Sequence, residues 1–458
     1  MKVPKNLLDK YNQALPRYTS YPPANHFKAM DNDAYIRLLD ESNTLSPSNI
    51  SIYIHIPFCH KICFYCGCNS MRLSRPQTVT EYVEAIKKEI LMVKDRLDGN
   101  RKVSQIHYGG GTPNAIPVEM LMEINRLIFD NFRFIDKPEI AIECHPAHLY
   151  PDTIEKLVQG GFNRISLGIQ DFDASVLKAV NREPSRMPVD QITRIFKSLQ
   201  PEGGINLDFI YGLPYQTPQS FLSSMAKAIE LNPDRVVTFS YAHVPWVKNH
   251  MQALEKMGLP LPETKMQMFE ESYLMMVNAG YTVVGMDHYA KATDELALAL
   301  ADNELHRNFQ GYCTRRTTGQ VYAFGVSGIG QMTGGYAQNT KSVETYIQAI
   351  GLGQFAVEKG AVVNEQQKII RDVIDQLMCN RLLQWDKIGT TYGISPWQVK
   401  EAVGFDMARF SGMADDGLLS IDAQGVTVSE LGRFFIRNIA SSLDPMLANG
   451  TNMYSKSV

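Results

Sequence analysis

The sequence predicts an α/β fold: a partial (β/α)6 TIM-like barrel with an N-terminal arm and a mainly helical, winged-helix-like C-terminal domain. Three observations carry this expectation. Short β-branched or aromatic runs recur six times between residues 51 and 241, each followed by an amphipathic segment. The first 50 residues lack any sustained period. The last hundred or so change to helical segments that close on a hairpin.

Taken in order, residues 1–50 hold scattered prolines and aromatics, among them Pro16, Tyr18, Tyr21 and Pro22, and read as an arm draped over the remainder. Strands are expected at 51–56, 105–108, 139–143, 164–169, 206–211 and 235–241. Between the first two, Tyr82, Ile86, Ile90, Val93 and Leu97 repeat at helical spacing with Lys87, Lys88 and Lys94 opposite, which predicts a helix covering a sheet. Strand followed by helix implies parallel strands and right-handed crossovers, giving a core barrel over 51–290. Longer helices follow Glu263, with one more strand at 282–286. Residues 291–364 are expected to extend the barrel and connect it to a C-terminal domain, 365–458. That domain should hold a helix to Asn380, two shorter helices and a hairpin around 423–425, the outline of a winged helix.

At 458 residues, with 44% hydrophobic and 20% charged residues, the chain has ample material for a core. A formal charge of -3 supplies no basic field, which disfavours nucleic acid and points to a small substrate. No run of eighteen apolar residues occurs, and Met1 to Asp9 lack the apolar stretch of a signal peptide. No membrane insertion and a cytoplasmic location are therefore expected. Of seven cysteines, four lie between Cys59 and Cys68, a pattern of metal chemistry in a reducing compartment rather than a disulfide scaffold.

Cys59, Cys63 and Cys66 stand in Cys-x-x-x-Cys-x-x-Cys. Three thiolates from one loop suit three irons of a [4Fe-4S] cluster and leave the fourth open. An open iron can chelate the amino and carboxylate groups of S-adenosylmethionine and reduce its sulfonium, releasing a 5'-deoxyadenosyl radical; the protein then orients the cofactor. A zinc site would ordinarily use two separated ligand pairs, and no second pair follows. Cys68 would crowd the cube, so it is expected not to be a ligand. Cys59, Gly109 to Gly111, Glu143, Gln170, Asp208 and Ala242 fall at strand carboxyl ends, where barrels gather their chemistry. Tyr65 offers an aromatic face to adenine or to packing. Glu143, Asp208 and Arg182 are each either ligand contacts or solvated polar groups. The scattered histidines, His55, His60, His243, His288 and His306, earn no catalytic assignment, and no residue is assigned as acid, base or nucleophile.

Residues 55–69, His55-Ile-Pro-Phe-Cys-His-Lys-Ile-Cys-Phe-Tyr-Cys-Gly-Cys-Asn69, strongly resemble the oxygen-independent coproporphyrinogen III oxidases, also called coproporphyrinogen dehydrogenases. Similarity continues through Pro16 to Pro22, Gly109 to Pro113, Gly168 to Phe172, Val180 to Glu183, Asp208 to Pro214, Tyr241 to His243, Gly285 to His288 and His306 to Tyr312. The resemblance implies a radical S-adenosylmethionine enzyme of haem biosynthesis that oxidatively decarboxylates two propionates of coproporphyrinogen III to vinyl groups, giving protoporphyrinogen IX. It implies a [4Fe-4S] cluster on Cys59, Cys63 and Cys66, and two S-adenosylmethionine molecules. Tyr53, Gly110, Thr112, Glu143, Gln170, Arg182, Asp208 and Ala242 would surround the first, with Tyr65 and Ile210 nearby, while Gln310 and Ile329 match positions associated with the second. It further implies an electron donor such as flavodoxin or ferredoxin, an unidentified acceptor and a monomer.

Arginines near the arm, such as Arg17, are candidate partners for the substrate carboxylates. His145 and Ala147 depart from the aspartate and arginine usual in the family. Competing readings are a radical S-adenosylmethionine haem-degrading methyltransferase, a haem-delivery chaperone of the same superfamily, and a nucleic-acid regulator built on the winged tail.

Overall fold

The six expected strands form the parallel centre of a single open sheet in a computed structural model that describes residues 2–314, 318–447 and 454–457. They are β1 (Ile50–Ile56), β2 (Lys102–Gly110), β3 (Arg133–Cys144), β4 (Arg164–Gln170), β5 (Gly204–Tyr211) and β6 (Arg235–Ser240). Each pairs in parallel with the next. Their outward rows bury Ile52, Ile54, Ile106, Ile142, Leu167 and Leu207 against the crossover helices. The helix Pro76–Lys94 carries the expected stripe: Tyr82, Ile86 and Ile90 are fully buried. Each such side chain contributes roughly 1.5–3 kcal/mol of burial. Proline opens this helix and the crossovers Pro151–Gln159 and Pro218–Glu230, where its fixed φ suits the first turn and no N–H is lost.

Beyond β6 the sheet continues antiparallel through β7 (Thr282–Val284) and β8 (His288–Ala290), with β8 next to β6. The hairpin of β9 (Leu305–Asn308) and β10 (Gly311–Thr314) stands apart from it. The expectation of mainly longer helices after Glu263 is corrected here. Gln320–Phe324 is a seventh parallel strand, β11, alongside β1. It leads into antiparallel β12 (Ile329–Met332), β13 (Gly335–Asn339) and β14 (Val357–Val362). The sheet therefore runs on across residue 291.

The arm also differs from its expectation, since it contains the helices Lys5–Tyr11 and Asn32–Ser42. Both are too short to show a sustained period; Asp31 caps the second by accepting from the Ala34 amide at 2.8 Å. Val3, Leu7, Leu8, Tyr11, Tyr18 and Tyr21 pack into a core with Ile370, Val373, Trp385 and Phe435, so the arm's first segment builds the C-terminal domain.

That domain opens with Glu365–Asn380, whose Asn364 and Gln367 form a reciprocal capping box. Three shorter helices rather than two precede the hairpin, Trp385–Tyr392, Pro396–Ala402 and Met407–Asp415, and a further one, Ile436–Ser441, comes after it. A three-stranded sheet completes the winged-helix outline: β15 (Leu382–Gln384), β16 (Leu419–Ile421) and β17 (Gly425–Val428), with β17 central. Among the described residues no helix is long and apolar enough to cross a membrane.

Candidate active site

Successive side chains of a strand point to opposite faces, so the barrel's inner rows are read at intervals of two. Gln105 and His107, Glu139 and Glu143, Ser166 and Gly168, Asn206 and Asp208, and Val237 and Phe239 all line one cavity of about 470 Å³. Its amino-terminal end is plugged by ion pairs. Arg164 Nε lies 2.7 Å from Glu139 Oε2, and Arg235 Nε lies 2.9 Å from Asp294 Oδ1. Burial alone would raise the Glu139 carboxyl, but Arg164 and Arg235 overcome it and hold Glu139 down at about 2.

The carboxyl ends of the strands carry the cysteine loop. Cys59 ends a two-residue strand, Phe58–Cys59, paired with Met71–Arg72, and Leu73 N donates to Cys59 O at 2.7 Å. Farther along, Phe64 N donates to Val180 O at 3.0 Å and Asn181 Nδ2 to Ile62 O at 2.9 Å. Lys248 Nζ reaches Cys68 O at 2.7 Å, and His250 Nε2 lies 2.8 Å from Cys66 O. The loop is thus tied to three separate elements.

Cys59, Cys63 and Cys66 all line the cavity. Cys59 Sγ lies 3.3 Å from Thr112 Oγ1, and burial pushes its thiol up to about 11. A hydrogen bond from exposed Cys68 draws the Cys66 thiol down. Among the described residues no three His, Cys, Asp or Glu side chains converge on one ion-sized point. Three thiols carried on one loop suit a cubane cluster, in which each thiolate takes its own iron.

Arg182 organises the wall beside the loop. Its Nη1 lies 3.5 Å from Cys63 Sγ and 3.1 Å from Tyr65 OH, while Nη2 donates to Gly168 O. Gly110 takes φ +113°, and a Cβ there would come within 2.6 Å of the His55 ring. Only glycine lets this backbone turn against the imidazole.

Glu143 Oε1 lies 2.9 Å from His107 Nε2. Asp208 accepts from Ser166 Oγ at 2.6 Å and Asn206 Nδ2 at 2.9 Å, and burial raises its carboxyl to about 6 despite them. Gln170 is in the left-handed region at φ 69°. Its Oε1 and that of Gln310, with Asn206 Oδ1, are buried acceptors without a protein donor. Hydroxyl and amino groups of a nucleoside-bearing ligand match that set of acceptors.

The cavity collects Tyr53, Tyr65, Gly110, Thr112, Glu143, Gln170, Arg182, Asp208, Ile210 and Gln310 with the three cysteines. Two expected residues lie outside its lining. Ala242 faces a neighbouring cavity that shares Arg17 and Thr19. Ile329, at the start of β12, packs near Phe27, Phe309 and Tyr336. His145 also lines the main cavity; its Nδ1 accepts from Ala147 N at 3.2 Å, and burial lowers it to about 2, so it is a neutral cap. Ala147 is fully buried. The partners His107, Ser166 and Asn206 were not expected, although the two-residue period of the strands carries them. The same cavity includes Arg307 and Asn308 on β9.

A family model for the Radical SAM superfamily matches residues 53–228. The chain is 36% identical over 454 residues to an oxygen-independent coproporphyrinogen III oxidase of Helicobacter pylori (strain J99), covering 98% of each. It is 36% identical over 452 residues to that of Escherichia coli (strain K12), covering 98% of this chain and 96% of the relative. The solved structure of coproporphyrinogen III oxidase (HemN) from Escherichia coli, described as a radical SAM enzyme, superposes with a TM-score of 0.88 at 33% identity, covering 97% of this chain and all of that one.

Proposed function

Because the chain belongs to the oxygen-independent coproporphyrinogen III oxidase family of the radical SAM superfamily, we propose that its barrel cavity is where coproporphyrinogen III loses two propionate carboxyls as carbon dioxide to give protoporphyrinogen IX. One observation carries this reading most strongly: the cysteine wall and a row of inward polar side chains share a single cavity. Held by Cys59, Cys63 and Cys66, a [4Fe-4S] cluster with S-adenosylmethionine would supply the one-electron chemistry that removes hydrogen from a propionate β-carbon; loss of the carboxylate as carbon dioxide would then leave the vinyl group and one electron for an external acceptor.

The chain's own residues bind, orient and shield. Cys59, Cys63 and Cys66 hold the cluster. Tyr53, Gly110, Thr112, Glu143, Gln170, Arg182, Asp208 and Ala242, with Tyr65 and Ile210 nearby, hold the first S-adenosylmethionine; Gln310 and Ile329 serve the second. Glu143 and Asp208 offer carboxylate oxygens at strand ends, and His107, Ser166 and Asn206 fix their rotamers. The plug of Glu139, Arg164 and Arg235 closes the far end against water. The protein works as a cytoplasmic monomer in four parts, an arm (1–50), a core barrel (51–290), an extension (291–364) and a C-terminal domain (365–458), and it is reduced by a flavodoxin or ferredoxin.

The test is anaerobic incubation of the cluster-reconstituted protein with S-adenosylmethionine and either coproporphyrinogen III or haem, with products identified by mass spectrometry. The vinyl product and 5'-deoxyadenosine are expected from the porphyrinogen. Haem consumption with methyl transfer, or haem binding without porphyrinogen turnover, would reject the reading.

A further inference from the structure

On the arm side of the cavity a second set of polar groups lacks protein partners. Arg307 and Asn308 on β9 are 7% and 1% exposed and line the cavity, yet Arg307 Nε and Asn308 Nδ2 have no acceptor. Arg307 Nη1 is used to hold the arm, donating to Arg17 O at 2.8 Å. The Arg17 side chain lines the same cavity and gives one bond, from Nη2 to Ser240 O at 3.2 Å. Asp287, on the same lining, is paired with His288 at 2.7 Å. Among the described residues no carboxylate forms an ion pair with either arginine. The Asp287 carboxylate attracts both guanidinium groups but is already bonded to His288, so one carboxylate faces two cations while Arg307 Nε and Asn308 Nδ2 stay buried without acceptors, a costly arrangement that suits an added anion.

We propose that Arg17, Arg307 and Asn308 form a carboxylate-binding subsite in the cavity wall, contributed by the arm and β9. A guanidinium offers paired donors in a plane that matches the two oxygens of a carboxylate, and the Asn308 amide adds a third direction. The Arg307 guanidinium, 5.0 Å from the Tyr312 ring centroid, is held over an aromatic face that keeps it in place. Burial lowers the Arg17 guanidinium; Asp287 opposes that shift and Arg307 adds to it.

Resting on the function proposed above, the carboxylate has two sources: a propionate of the porphyrinogen, or the amino-acid end of a second S-adenosylmethionine, since Gln310 follows on the same hairpin.

Equilibrium binding to the cluster-reconstituted full chain, measured anaerobically with coproporphyrinogen III and S-adenosylmethionine titrated separately, distinguishes them. Arg17→Gln removes a cation. Asn308→Asp keeps the Oδ1 that accepts from Gln310 N at 2.9 Å and puts a negative charge where the amide donated. Iron content and circular dichroism report whether each variant folds and loads; Asn308→Ser, a milder loss of the same donor, replaces any variant that does not. Porphyrinogen binding weakened at least about ten-fold with unchanged S-adenosylmethionine affinity supports the subsite and assigns the propionate. Loss of one bound S-adenosylmethionine with unchanged porphyrinogen affinity supports the subsite and assigns the cofactor. Loaded variants that bind both ligands like the parent overturn it. Turnover by the parent, measured in parallel, reports separately on the proposed function.

Discussion

Cys63 and Cys68 share one loop and line one cavity but differ in exposure. Cys63 is buried on the cavity wall 3.5 Å from the Arg182 guanidinium, whereas Cys68 is exposed and hydrogen-bonds to Cys66. Cys63→Ser is expected to abolish cluster retention and Cys68→Ser to keep it, read as iron and sulfide content after anaerobic reconstitution. Arg182 touches Cys63, Tyr65 and Gly168 at once, a fork that a point-charged lysine does not reproduce. Arg182→Lys should therefore retain the cluster and lower S-adenosylmethionine affinity by about ten-fold or more, measured by equilibrium binding. At this scale the cysteines, Glu143 and Asp208 were legible because spacing and strand ends mark them. Their partners were not: His107 and Asn206 look ordinary until the inward face of each strand is known. Ile329 entered through resemblance alone and Ala242 through its strand-end position as well, and the cavity lining includes neither.

Among the elements, the helix Pro76–Lys94 presents an unusual group to the sheet. Glu89 is buried and accepts from Tyr346 OH at 2.6 Å, Asn339 Nδ2 at 2.7 Å and Gly325 N at 2.9 Å. Burial outweighs these donors and raises the carboxyl from 4.5 to about 7. The folded state then holds a proton that the unfolded state releases, so this contribution is present below about pH 4.5 and lost as pH rises through about 7. Relative to Glu89→Gln, the parent should lose roughly 3 kcal/mol over that window, read from urea midpoints.

The arm depends on Arg437, which donates to the carbonyls of Leu15, Pro16, Ser455 and Lys456. Arg437→Ala leaves those acceptors unmatched; a loss of about 2–4 kcal/mol and faster amide exchange at residues 15–19 are expected. The regular β/α alternation was readable in the sequence because long periodic elements announce themselves. The strands β11 to β14 were not, being four to six residues each and interrupted by Gly330 and Gly360, so they rest on the ladder rather than on propensity.

Across the whole molecule, the two largest cores are that of the barrel and that shared by the arm and the C-terminal domain. The barrel core was foreseeable, but the joint core of the arm and C-terminal domain pairs Tyr11 with Phe435, ring centroids 5.3 Å apart, a contact between distant parts of the chain that no local pattern encodes. This joint core sets Arg17 on the cavity wall while the cysteine loop lines the same space. The central claim is that cluster, cofactor and porphyrinogen meet in that one cavity. Its most direct test is anaerobic turnover of coproporphyrinogen III deuterated at the propionate β-carbons, with mass spectrometry of the 5'-deoxyadenosine formed. Deuterium in the 5'-deoxyadenosine, appearing in step with the vinyl product, is the predicted result; vinyl product accompanied by unlabelled 5'-deoxyadenosine would contradict the account.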